Sequence, residues 1–218
     1  MIRKFFLMML LTVPLFGGTV GAQIPVELFT GNEKTTLDLM FFRFFNNAKK
    51  ESSPFLFFNR NRVSLDYRMT GSSYLPQFGF TEAVSYNHPR LGGFAPVAVV
   101  QLLNSGVFPK AGIQYVFMQS DLTVFSWLVS DLRKHAAIDY YLLMRYRKSV
   151  TDHLKLYIQF ESLNSLYTTS VHWQFVQRLR LGLSKAKFQF GLGTDLSERT
   201  KSDQAMSSTT GLFFRYEF

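Results

Sequence analysis

Basic side chains recur at every second position in several segments of this chain. Arg145 and Arg147 form one such pair, and Arg178 and Arg180 form another. In an extended strand, residues two apart point to the same side, so each pair presents two neighbouring guanidinium groups. Such groups bind carboxylate or phosphate oxygens through paired, charge-assisted hydrogen bonds. The spacing therefore predicts anion binding at these positions, with solvated surface charge as the simpler alternative.

The sequence carries no pattern typical of a metal site or of nucleophilic catalysis. Its four histidines, His88, His135, His153 and His172, have no local signature that supplies a nucleophile and an orienting group. His153, next to Asp152, is a weak acid–base candidate, and His172 is predicted to point inward from a strand. The chain has no cysteine, no His-x-x-x-His pair and no calcium-binding loop. We therefore assign no catalytic residue, no metal and no cofactor.

The segments that carry the basic pairs alternate between apolar and polar residues. Leu154, Leu156, Ile158 and Phe160, for example, alternate with largely polar positions. A period of two predicts a β-strand with one apolar and one polar face, whereas a helix would spread the charges around its cylinder. Strands are predicted at 24–30, 35–45, 55–68, 75–87, 93–103, 109–119, 121–130, 136–148, 153–162, 168–184, 186–196 and 207–218. Segment 93–103 carries Pro96 and is apolar on both faces, so a buried helix is the alternative there.

The last strand gives the most specific indication of fold and location. Its apolar face carries Leu212, Phe214, Tyr216 and Phe218, and the given sequence ends on the aromatic residue Phe218. Such an ending resembles the terminal assembly signal of bacterial outer-membrane β-barrel proteins. The resemblance implies an all-β, antiparallel, up-and-down transmembrane barrel in a Gram-negative outer membrane. It also implies insertion by the barrel-assembly machinery and contact with outer-membrane lipids and lipopolysaccharide.

The amino-terminal segment has the residue order typical of an exported protein. Residues 1–22 begin with the basic pair Arg3 and Lys4, continue through an apolar run at 5–16 and end in small residues at Ala22. This order predicts a secretory signal peptide cleaved after Ala22, which leaves 23–218 as the barrel domain. The apolar run is too short to span a bilayer as a helix, which needs roughly 20 residues.

Composition is also typical of a lipid-embedded barrel. The chain is 47% hydrophobic and 17% aromatic, and a barrel turns such side chains outward. Its net charge of +9 is dispersed along the strands of an exported chain, which argues against nucleic acid and favours anionic lipids or solutes. Several aromatic residues are predicted to form the interfacial girdle of the barrel: Trp127, Tyr140, Tyr141, Tyr146, Tyr157 and Trp173. Tyr141 and Tyr157 would also suit a carbohydrate-stacking track inside the lumen.

The number of predicted strands tests this topology, because an even number puts both termini on the same side of the membrane. Twelve strands with periplasmic termini place tight turns near Ser120, 149–152 and Lys185 in the periplasm, and the polar segment 197–206 outside. Segment 46–54 would then be an unusually long periplasmic turn. Ten strands are the alternative, if 24–30 is a free arm and two neighbouring segments merge.

The polar faces predict a basic lumen. The residues predicted to line it and to attract anions are Arg62, Arg68, Arg145, Arg147, Lys155, Arg178, Arg180 and Lys187, with Arg215 on the same kind of face. The acids predicted beside them are fewer: Asp66, Asp139, Glu161 and Glu217. Such an excess favours entry of anions into a confined space. The sequence therefore favours a narrow passive channel, and two alternatives stay open: a sealed accessory barrel that docks with an envelope protein, and an outer-membrane lipid hydrolase.

Overall fold

The strands form a closed barrel. The computed structural model describes residues 24–47, 49, 51–67, 76–133, 137–168, 172–200 and 205–218. In this part of the chain, twelve strands each pair antiparallel with their sequence neighbours, and β1 closes the sheet against β12. The predicted signal peptide, 1–22, lies outside the described residues.

The strand bounds follow the alternating segments closely. The twelve strands are β1 (Pro25–Gly31), β2 (Lys34–Asn46), β3 (Ser52–Asp66), β4 (Gln77–Tyr86), β5 (Phe94–Leu103), β6 (Gly106–Met118), β7 (Leu122–Asp131), β8 (Ala137–Thr151), β9 (Leu154–Tyr167), β10 (His172–Lys185), β11 (Phe188–Arg199) and β12 (Ala205–Glu217). A one-turn 3₁₀ helix, Pro89–Leu91, precedes β5. Within the described ranges, no helix is both long and apolar enough to cross a bilayer.

The twelve-strand prediction is confirmed, and two of its alternatives are wrong. Pro25–Gly31 is not a free arm, because it pairs with β2 on one side and β12 on the other. Segment 93–103 is a strand rather than a helix, and it pairs along its length with β6. The apparent long turn at 46–54 shrinks to residues 47–51, since β2 and β3 extend further than predicted. A backbone hydrogen bond from Asn47 N to Glu51 O closes that turn at 2.8 Å.

The two ends of the barrel are defined by the chain termini. The terminal end carries the start of β1, the end of β12 and the connections at 47–51, 87–93, 119–121, 152–153 and 186–187. The distal end carries the other connections, of which 67–76 is the longest. Ala186 adopts a positive φ of 52° in the two-residue turn between β10 and β11, which lets that turn reverse the chain.

The outward faces form a belt of exposed apolar side chains. Leu212 and Phe214 are 65% and 48% exposed, whereas Arg215 and Glu217 are buried inside the barrel. The facing predicted for the last strand is therefore confirmed. Leu192 and Ile113 are similarly exposed on β11 and β6. A soluble domain rarely exposes so continuous an apolar surface.

The barrel interior contains an apolar lobe on one side. Polar side chains also point inward there, among them Lys110 and Gln114 on β6. The lobe is formed mainly by β2–β5, β7 and β8. Its members are Met40, Phe58, Ala83, Val97, Val99, Phe125, Trp127, Val129, Tyr141 and Leu143. The prediction that Trp127 belongs to the outer girdle is wrong, because its indole is 4% exposed and packs edge-on against Phe58. Tyr141 and Tyr157 also lie inside the barrel, both buried.

Candidate anion site in the barrel interior

The other half of the interior, outside the apolar lobe, is polar. It lies against β8–β12 and β1–β3, and its inward side chains pair across the lumen. The inward cations of this half are Lys34, Arg60, Arg62, Arg145, Arg147, Lys155, Arg178, Arg180 and Arg215. They form a ladder from the terminal end, at Arg147 and Lys155, to the distal end, at Lys34. This order follows from the strand register and places positive charge at every level of the barrel.

Arg60 connects three strands in the middle of this ladder. Its guanidinium forms an ion pair with Asp38 on β2 and another with Glu161 on β9, the latter at 2.6 Å. It also donates to the Tyr141 hydroxyl on β8 at 3.1 Å. β3 and β9 are not neighbours in the sheet, so these contacts cross the lumen. Arg178 adds a second cation to Glu161 at 3.1 Å.

Glu27 binds two arginines at the next level. Its carboxylate accepts from Arg180 Nε at 2.8 Å and from Arg215 Nη2 at 2.6 Å, and all three side chains are buried. Arg180 also reaches Asp195 at 2.8 Å and stacks over the ring of Phe29 at 4.1 Å. Burial of three charges is tolerated here because each one is both paired and hydrogen-bonded.

Gly193 makes room for this arrangement. An added Cβ there would lie 2.8 Å from Arg180 Cδ and 3.0 Å from Phe29 Cε2. Glycine in this strand therefore relieves crowding.

Two arginines converge on one neutral oxygen nearer the terminal end. Gln159 Oε1 accepts from Arg145 Nε at 2.8 Å and from Arg215 Nη1 at 3.0 Å. In the described part of the chain, Arg145 has no carboxylate partner, and its Nη2 is buried without a hydrogen bond. Arg215 Nε and both amide atoms of Gln189, directly opposite Arg215 on β11, are also buried and unpartnered. Arg145, Gln159, Gln189 and Arg215 are called the arginine pocket below.

The arginine pocket is suited to an anion. Unsatisfied buried donors cost about 1–3 kcal/mol each, and more when charged, so an anion that accepts hydrogen bonds from them offsets this cost. The donors here belong to two guanidinium groups and one amide, which matches an oxyanion or halide. Tyr157 closes one side of the pocket, where its hydroxyl bonds both Arg215 and Gln159.

The predicted lumen residues fall into three groups. Arg62, Arg145, Arg147, Arg178 and Arg180 point inward and contact other inward side chains. Lys155 lies on the inward face of β9 but is exposed at the terminal end, and Lys187 is exposed in the turn between β10 and β11. Arg68 lies outside the described residues.

The sequence prediction missed four of the inward acids. Glu27, Asp38, Asp131 and Asp195 face inward beside Asp139, Glu161 and Glu217, so the excess of positive charge is smaller than predicted. The central cation, Arg60, was also missed. Glu27 and Asp38 sit at positions of the correct parity, but the apolar inward neighbours Phe29 and Met40 obscured the alternation in β1 and β2.

The distal rim carries a further ion pair. Asp131, at the end of β7, accepts hydrogen bonds from Arg133 at 2.9–3.2 Å. The side-chain hydrogen bond that Arg133 donates to Asp131 raises the pKa of the Arg133 guanidinium, so this rim cation stays charged. The nearby Lys110 pairs inside the barrel with Asp139.

The histidines show no catalytic arrangement among the described residues. His88 caps the 3₁₀ helix, where its Nδ1 accepts from Arg90 N at 3.2 Å. His153 lies exposed in the turn before β9, and His135 lies outside the described residues. No group of three His, Cys, Asp or Glu side chains in the described ranges is placed to hold a metal ion.

No protein-family model and no curated protein sequence matches this chain. Solved structures with a similar shape are bacterial β-barrels. A KdgM porin in complex with disordered oligogalacturonate aligns with a TM-score of 0.49 and 12% identity, over 90% of this chain and 99% of that chain. Another KdgM porin structure gives a TM-score of 0.48 and 12% identity with the same coverage. The beta domain of the Bordetella autotransporter BrkA gives 0.38 and 10% identity, over 91% of this chain and 100% of that one.

Proposed function

We propose that this chain is an outer-membrane barrel whose polar half binds small anions and lets them pass as a narrow, low-conductance channel. The arginine pocket carries the proposal. Two guanidinium groups share one neutral oxygen there, and nitrogens of both are buried without a partner. An anion of carboxylate, phosphate or halide type supplies the charge and the acceptors that Arg145 and Arg215 lack.

The outer membrane is the location that the outward belt favours. Exposed leucine and phenylalanine side chains surround the barrel, and a closed sheet leaves no backbone edge unpaired in lipid. The terminal end then faces the periplasm and the distal end faces the cell exterior. Leu212, Phe214, Tyr216 and Phe218 act as the signal for the barrel-assembly machinery, and the distal rim contacts lipopolysaccharide.

A conductance measurement tests the channel. The refolded mature chain is placed in a planar bilayer with a KCl gradient, and the reversal potential gives the ratio of chloride to potassium permeability. We expect chloride to be preferred. Arg145→Gln should lower this ratio by about fivefold, which corresponds to about 1 kcal/mol for one charge at contact distance.

Lys148 provides the matched control for this experiment. It lies on the same strand, but on the outward face near the terminal end. Lys148→Gln removes the same unit of charge outside the lumen and should leave the permeability ratio unchanged. Equal effects of Arg145→Gln and Lys148→Gln would contradict an anion pathway past Arg145.

A sealed accessory barrel is the second candidate, and the contacts across the lumen favour it. Phe58 on β3 and Phe125 on β7, which are not neighbouring strands, stack inside the barrel, and Arg60 binds Glu161 across the interior. Such contacts narrow the lumen so far that passage of a solute would depend on motion of these side chains. Absence of conductance from folded protein, shown folded by its heat-dependent shift on a gel, would select this candidate over the channel.

A further inference from the structure

One group of polar side chains points outward, toward lipid, rather than inward. Asn59 Nδ2 donates to Glu82 Oε1 at 2.6 Å, and Asn61 Nδ2 donates to Asn59 Oδ1 at 3.1 Å. Their neighbours along the strands, Phe58 and Ala83, pack in the apolar lobe, so strand alternation places the three polar side chains on the outer face, where Asn59 is 6% exposed. They are called the Glu82 cluster below.

The Glu82 cluster lies at mid-height of the barrel. Asn59 is the central residue of β3, which runs from 52 to 66. On β4, stacked Phe78 and Phe80 lie on the distal side of Glu82, and Tyr86 lies on its terminal side. Acyl chains at this depth offer no hydrogen bond to a carboxylate, and an ionised side chain on the lipid face of a barrel is destabilising. A protein surface is therefore the expected cover.

Small residues lie to one side of the Glu82 cluster. Pro96 and Ala98 on β5 and Ala111 on β6 share its outward face, together with Val100, which pairs with Glu82 and is 47% exposed. On the opposite side of the barrel, Leu181, Leu192 and Leu212 are 49%, 61% and 65% exposed, which is typical of contact with acyl chains. Small residues around a polar group are what membrane-embedded interfaces use, because they let two backbones approach closely.

The hydrogen-bonding capacity of the Glu82 cluster indicates what covers it. In the described part of the chain, Glu82 has one hydrogen bond, so its second oxygen is an open acceptor. Asn61 likewise uses one amide hydrogen on Asn59 and keeps the other. The cluster thus offers both an acceptor and a donor, and such a surface is complementary to a copy of itself related by a two-fold axis.

We propose that two copies of this barrel associate in the membrane through the outward face of β3–β6. Glu82 of each copy accepts a hydrogen bond from Asn61 of the other copy, and the small residues of β5 and β6 bring the two sheets together. This association is independent of whether the lumen conducts. A lipid headgroup does not reach this depth, so a protein surface is the occupant.

Disulfide crosslinking tests the interface, because the chain contains no cysteine of its own. Ala98→Cys places one thiol beside the Glu82 cluster, and Leu192→Cys places one on the opposite face. After mild oxidation in native membranes, Ala98→Cys should migrate at twice the monomer mass, while Leu192→Cys should stay monomeric. Light scattering on the detergent-solubilised wild type should give the mass of two chains.

Removal of the polar groups completes the test. Glu82→Leu with Asn61→Leu, placed in the Ala98→Cys background, should reduce the crosslinked fraction about tenfold, equivalent to about 1.4 kcal/mol. The heat-dependent gel shift checks that each variant folds. Crosslinking of Ala98→Cys no greater than that of Leu192→Cys overturns the proposal. So does a product that contains a different protein, or a dimer that survives the double substitution.

Discussion

Phe58 and Phe125 stack face to face in the centre of the barrel, with ring centroids 5.3 Å apart and planes inclined by 12°. Phe58 belongs to β3 and Phe125 to β7, and three strands separate them in the sheet. Distant parts of the wall are therefore in contact, and the interior is divided into the apolar lobe and the polar half. In the proposed channel, solute passes on the arginine-lined side.

Replacement of Phe125 tests the apolar lobe. Phe125 is 0% exposed and also contacts Phe42 and Trp127, so Phe125→Ala leaves a cavity. We expect the free energy of unfolding to fall by about 3–5 kcal/mol, measured by urea titration in detergent micelles. Phe190→Ala, which shortens an outward phenylalanine on β11, should have a much smaller effect. Equal losses would show that Phe125 is not part of a packed interior.

Replacement of Glu27 tests the buried ion pairs. Glu27→Gln keeps the size of the side chain but leaves Arg180 and Arg215 short of a negative charge. We expect a loss of about 3–5 kcal/mol in the free energy of unfolding, because a buried charge then lacks compensation. Glu217→Gln is the matched control. Its partner Arg147 is 33% exposed and 3.3 Å away, so the loss there should be about 1 kcal/mol or less.

Gly193→Ala tests the crowding beside Arg180. The added methyl group would meet Arg180 and Phe29 at 3.0 Å or closer, and we expect a loss of about 1–3 kcal/mol in unfolding titrations. At Gly79, another strand glycine, the corresponding methyl group would meet only Leu103, at 3.3 Å. Gly79→Ala should therefore be the milder change, and the reverse order would contradict the described packing.

The sequence predicted the fold well because most outward positions are apolar. The alternation in β8–β12 placed Leu212, Phe214 and Arg215 on the correct faces. It predicted the interior less well because the inward faces are not uniformly polar. In β7, Phe125 and Trp127 point inward between outward apolar residues, so that strand shows little alternation. Period-two patterns require a contrast between the two faces, and the apolar lobe removes it.

The arginine pocket could not be predicted from strand patterns. Arg145 was correctly placed inward, but its lack of a carboxylate partner depends on contacts between β8, β9 and β12. Such contacts across a closed barrel depend on the register of every strand between them. The Glu82 cluster is visible in the sequence, because Glu82 occupies a position on β4 where the alternation otherwise places apolar residues.

Phe218 tests the proposed assembly signal. Its ring is 65% exposed and contributes little to the packed interior, so Phe218→Ala should leave refolding in detergent unchanged. In cells, the same variant should give less folded barrel in the outer-membrane fraction, measured by the heat-dependent gel shift. Phe190→Ala, an outward aromatic on the neighbouring strand, serves as the control. Equal assembly of both variants would contradict a role for the terminal aromatic residue.

The central claim is that the apolar belt meets acyl chains while the barrel closes around its own polar half. Accessibility of nitroxide-labelled single cysteines tests it most directly in reconstituted bilayers. Labels at Leu181, Leu192 and Leu212 should collide with dissolved oxygen and be shielded from a water-soluble nickel complex. A label at the inward Ser184, which is 6% exposed, should be shielded from the oxygen in the acyl chains. Access of the nickel complex to Leu192 and Leu212, or no difference between outward and inward positions, would contradict the claim.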